Sequence, residues 1–112
     1  RFGMEFVDEN AERFLEGTTP VLEITGAVRN FTRQTREAPL IEVRLLDDAG
    51  VQIGAYYAEV DPGEIAAGGL GRFVKRVENP PFEAFQLELA LAAEGETRPE
   101  EAQALAETDE TS

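Results

Sequence analysis

The chain has 112 residues, 42% of them apolar, and neither cysteine nor histidine. That is the size of one domain with one core, and it excludes disulfides, Cys/His zinc sites and any catalysis that turns on His or Cys. Ten basic residues against 23 acidic ones give a net charge of −13, which argues against nucleic acid and against an anionic membrane surface, since both are met with clustered Lys and Arg.

Phe2, Met4 and Phe6 alternate, which predicts a short first strand over residues 1–7. Residues 8–17 read differently. Asp8 suits a helix N-cap, Glu9 and Glu12 its first turn and Gly17 its end, with Ala11, Phe14 and Leu15 on one face. A short N-terminal helix of about two turns is expected there, with a loop as the alternative. Leu22-x-Ile24-x-Gly26-x-Val28 marks a second strand over residues 21–29. Gly26 shares the inward face, where a glycine implies a bulge or a close approach.

Residues 30–38 form a polar, Arg-bearing connection whose apolar anchor is Phe31. Pro39 opens the third strand, where a missing N–H does least harm. Ile41, Val43 and Leu45 face inward there, with Glu42 and Arg44 outward. Asp47-Asp48-Ala49-Gly50 is turn chemistry: aspartate bonds the local backbone, and Gly50 supplies positive φ for a bulged hairpin. A fourth strand covers residues 51–60, with Tyr56 and Tyr57 in competing phases. Residues 62–71 read as a crossover loop anchored by Ile65 and Leu70, and Phe73, Lys75 and Val77 begin the next strand. Asn79-Pro80-Pro81 ends it. Residues 84–92 form the last strand, with Phe85, Leu87, Leu89 and Leu91 inward, each contributing about 1.5–3 kcal/mol if fully buried.

The pattern predicts an all-β antiparallel sandwich of about 6–7 strands over residues 1–93. Residues 94–112 hold seven acids and one Arg (1 − 7 = −6) and too little apolar mass to offset ordering, so a disordered acidic tail is expected. Thr97-x-x-Glu100 with Pro99 is a capping box, which predicts a transient helix in that tail. No apolar run is long enough to span a bilayer as a helix. The chain opens at Arg1 without a signal-peptide pattern, as expected of a fragment whose upstream part has been removed.

No residue set specifies a reaction, and no catalytic, metal or cofactor residues are expected. Asp47 and Asp48 lack the alternating oxygen ligands of a calcium loop and read as a turn. Asp61 and Glu64 flank Pro62-Gly63, again a turn. Gly68-Gly69-Leu70-Gly71 lacks the Lys and Ser/Thr of a phosphate loop and reads as a bend. Two basic groups stand out in the acidic chain: Arg29, Arg33 and Arg36, then Arg72, Lys75 and Arg76. Solvated edge charges account for them; docking of an anionic partner is the functional reading. Tyr56 and Tyr57 are the candidate aromatic anchors of such a surface, one of them expected in the core.

The ordered series Leu22-x-Ile24-x-Gly26-x-Val28-x-Asn30, Pro39-x-Ile41-x-Val43-x-Leu45-x-Asp47-x-x-Gly50, Ile65-x-x-Gly68 with Phe73 and Val77, and Pro80-Pro81-x-x-Ala84-x-x-Leu87 resembles a bacterial family of domains of unknown function. Members follow a zinc-ribbon and one transmembrane helix. The resemblance covers residues 21–91 and implies an immunoglobulin-like sandwich on the periplasmic side of the inner membrane, anchored by a helix upstream of Arg1. It brings no catalytic residues. Its recurring positions match Gly26, Asn30, Pro39, Asp47 and Gly50, all with structural rationales. The expected role is a non-enzymatic protein-interaction or scaffolding domain, with protein partners, no nucleic acid, and the membrane met only through the upstream anchor. A small-ligand module for sugar or peptide, built on Tyr56, Tyr57 and the arginine loop, is the alternative.

Overall fold

The computed structural model describes residues 3–92. The acidic tail and its expected helix lie outside the described residues. Eight strands follow one another: β1 (Met4–Glu16), β2 (Thr19–Asn30), β3 (Arg36–Glu37), β4 (Ile41–Leu46), β5 (Gln52–Ala58), β6 (Glu64–Ile65), β7 (Leu70–Glu78) and β8 (Gln86–Leu91). They form two three-stranded antiparallel sheets, β1-β2-β7 and β5-β4-β8, with β3-β6 as a small ribbon beside them. The chain passes from β2 in one sheet to β4 in the other, and β7 returns beside β2, the strand order of an immunoglobulin-like sandwich.

Alternation places the core between the sheets. Leu22, Ile24 and Val28 from β2 and Phe73 and Val77 from β7 face Ile41, Val43 and Leu45 from β4, with Ile65 closing one end. The phase expected for β2, β4 and β7 is the phase observed.

Residues 8–17 correct the expected helix: among the described residues there is none, and this segment continues β1 as far as Glu16. The residues that suggested caps serve strand geometry instead. Asp8 has φ of 57°, and there Asp8 and Glu9 stand together opposite Gly26, a bulge in the ladder. Gly17, with φ of 64°, takes the first position of a two-residue turn joining Glu16 to Thr19. Positive φ ends helices and turns hairpins alike, and the long partner strand β2 decides between them. Phe85 needs a second correction. It shares the inward phase of Leu87, Leu89 and Leu91 but lies just before β8 and is 66% exposed, beyond the reach of the opposite sheet.

Gly26 is where the fold is tightest. Phe73 is its direct partner on β7, and a Cβ at position 26 would sit 2.6 Å from Cζ of that ring. The Phe73 ring lies across the gap that the glycine leaves, and Phe6 meets it edge-on with centroids 6.1 Å apart. Glycine is thus required by an aromatic side chain rather than by its own φ. Gly26→Ala is expected to destabilise the domain by about 1–3 kcal/mol, read as a lower urea midpoint at unchanged m-value. The double variant Gly26→Ala/Phe73→Leu is expected to lose less than the sum of the two single losses.

Candidate functional site

The notable buried polar group is Asn30, at the end of β2 and 0% exposed. Its Nδ2 donates to the carbonyls of Gln34 and Ile65, both at 2.8 Å, and more distantly to Ala66. Its Oδ1 accepts from the Thr32 amide at 2.9 Å and the Thr32 hydroxyl at 2.7 Å. Its backbone N–H donates to Gly69, and its carbonyl accepts from Gly68. One side chain therefore joins the end of β2, the 31–35 connection and the crossover before β7. Phe31, the expected apolar anchor of that connection, is 56% exposed; the anchor is this amide instead.

The other residues of the recurring pattern are structural too. Asp47 Oδ1 accepts from the amides of Ala49 and Val51, each at 2.9 Å, and Gly50 has φ of 85°. These bonds hold the 47–51 turn in shape. Pro39 is half-buried just ahead of β4.

The candidate interaction residues divide into three places. Arg29 and Arg72 lie on the outer face of the first sheet as diagonal neighbours, because Arg72 opposes Ala27 and Leu70 opposes Arg29. Arg29 donates to the Gly68 carbonyl at 3.2 Å and its guanidinium stands 5.9 Å from the Phe31 ring centre. Arg33 and Arg36, both exposed, continue this basic end through the connection and β3. Arg76 is on the same outer face towards the other end, bonded to Glu16 at 2.6 Å, near Glu23 at 3.6 Å and over the Phe14 ring.

The tyrosines do not join the arginines. Tyr56, opposite Val43, packs on the core, and Tyr57, opposite Glu42, points outward from the second sheet. The Tyr57 hydroxyl donates to Glu42 at 3.3 Å, and Arg44 bonds Glu42 at 2.9 Å and Glu88 at 3.6 Å across the same face. The hydrogen bond and charge of Glu42 hold the Arg44 pKa above its ordinary value. The two tyrosines therefore share no wall with the arginine loop. An open groove of about 540 Å³ does exist, between Pro39, Leu40 and Val60 and rimmed by Glu37, Glu59 and Glu64, and none of the candidate arginines or tyrosines lines it.

Phe82, which belongs to no strand pattern, is 88% exposed. The signal was present, since a large aromatic directly after Pro80-Pro81 has no strand to bury it. Together with Phe85, Leu15 and Val51 it gives the hairpin-turn end of the sandwich its exposed apolar side chains. No protein-family model, curated protein or solved structure matches the chain.

Replacing Asn30 tests the amide junction. Asn30→Ala takes the side-chain acceptor from the Thr32 amide and one donor from the Gln34 and Ile65 carbonyls, and is expected to cost about 1–3 kcal/mol. Asn30→Asp sets a carboxylate against three carbonyls, which raises the folded-state pKa of the new group above its unfolded value of about 3.9. Its stability is therefore fullest below about pH 4 and falls as pH rises towards the raised folded pKa. Urea melts at several pH values should show this slope for Asn30→Asp relative to Asn30→Ala.

Proposed function

We propose that this chain is a non-enzymatic protein-interaction or scaffolding domain of a membrane-anchored bacterial envelope protein, on the periplasmic side. The observation that carries the interaction reading is the exposure of Phe82 and Phe85 on one short proline-led segment. Aromatic surface held in water is unfavourable, and clustered exposure of this kind is what partner surfaces show. The polar side chains of the recurring pattern, Asn30 and Asp47, bond the backbone of their own domain, so they shape loops rather than meet a substrate.

The anchor, the bacterial source and the compartment rest on the family resemblance. The geometry is compatible with them. β1 starts beside Asn30, and β8 ends beside Leu40, at the end of the sandwich opposite Phe82 and Phe85. An anchor joined upstream would hold the two phenylalanines away from the bilayer.

A photo-crosslinking residue placed at Phe82 in the full-length protein, in its native cells, is expected to give one reproducible protein adduct. The same residue placed at Arg36 is expected to give less of it. Absence of adducts from every exposed position would overturn the interaction reading.

A further inference from the structure

Sheet edges carry unpaired backbone groups, and proteins blunt them with bulges, prolines and inward charges. Three of the four outer edges here are treated this way or drawn aside. β1 has its bulge at Asp8 and Glu9. β7 places Lys75 in the inward phase, opposite Ile24, and is bridged by Asp61 opposite Arg72. That bridge also pulls the chain leaving β5 over to the other sheet. β8 has none of these devices: Gln86–Leu91 pairs with β4 in unbroken register, without proline and with leucines alone facing inward.

Among the described residues no strand covers the outer side of β8, and that side offers two things at once. The Ala92 amide donates to the Leu40 carbonyl at 2.8 Å. Antiparallel alternation then turns the N–H and C=O groups of Leu87, Leu89 and Leu91 away from β4, towards the open edge. The side chains of the same three residues pack on the core yet stay only half-buried. Backbone donors, backbone acceptors and open apolar slots therefore lie along one line, from Leu87 to Leu91.

We infer that the open edge of β8 takes an extended segment of a partner protein as an added strand, with apolar side chains at alternate positions and Lys or Arg between them. The inference rests on the interaction reading above and specifies its place and chemistry. Alternate apolar side chains complete the interior beside Leu87, Leu89 and Leu91, while those between fall on the outer face beside Glu88. The basic character follows from charge. The described residues carry eight bases and 16 acids (8 − 16 = −8), Glu88, the one charged residue of β8, keeps 55% of its side chain exposed beside its Arg44 partner, and Glu83 precedes the edge. A second copy of this chain would bring the same negative net charge, and an anionic bilayer would be repelled.

Amide hydrogen exchange on the full chain, with synthetic peptides of about nine residues, tests this. A peptide alternating Val and Lys is expected to slow exchange at Leu87, Leu89 and Leu91 by about tenfold or more when near saturation. The same peptide N-methylated at alternate residues keeps its side chains but loses its edge-facing donors, and should bind about tenfold more weakly or worse. A Val/Glu peptide should give no slowing. Strand addition is overturned if the peptide protects other amides, or none. It is equally overturned if these three amides are already protected in the free monomer, which would mean coverage by residues 93–112, or become protected with concentration alone, which would mean a second copy. Crosslinks at Phe82 without protection at β8 would leave the interaction reading standing and overturn only this one.

Discussion

Everything at the loop-rich end of this sandwich hangs on one amide. Asn30 has no water to turn to, so each of its donors and acceptors must be met by protein. It meets them by drawing together segments on both sides of the core: the connection that carries the chain to β4 and the crossover that carries it back to β7. An apolar residue at this place could fill the volume but could not fix where the carbonyls of Ile65 and Gln34 stand. The amide's geometry, two donors and one acceptor oxygen in a plane, sets the path of both loops. Those loops carry Arg29's carbonyl contact and the exposed Arg33 and Arg36, so the basic end of the domain inherits its shape from a buried, neutral side chain.

A second constraint sits in mid-sheet and is apolar. Phe73 crosses the strand gap above Gly26, Phe6 meets its edge, and the bulge at Asp8–Glu9 faces the same glycine from the other side. A bulge strengthens local twist, and the aromatic pair fills the space that the missing side chain leaves. The bulged hairpin β1–β2 also touches the second sheet. Arg13 of β1 reaches the Ala84 carbonyl at the start of the opposite sheet's edge strand.

The parts of this arrangement that the sequence disclosed are those written in local period. Leu22 to Val28, Ile41 to Leu45 and Phe73 to Val77 declare their faces because burial repeats every second residue. Residues 8–17 did not, because Asp8 and Gly17 signal positive φ without saying whether a helix or a ladder uses it. Phe85 had the right phase, yet how far the facing sheet extends is not a local property. The same limit holds for the surface. Arg29 and Arg72 become neighbours only through the β2–β7 register, and Arg76 meets Glu16 only through the hairpin turn. Asn30 was visible as the polar residue that ends the second strand's pattern, but partners 35 residues away at Ile65 were not. The sequence disclosed Tyr56 and Tyr57 as a split pair and left open which of them was buried.

The placing of the strand ends has a consequence for how such a domain can be carried. β1 begins and β8 finishes at the same end of the sandwich, within the neighbourhood of the Asn30–Leu40 connection. A unit whose ends lie together closes a host's loop with little added entropy cost, so it can be inserted within another chain as readily as appended to one. Repeats of it joined by short linkers would fold back at each junction, not run head to tail as a straight rod.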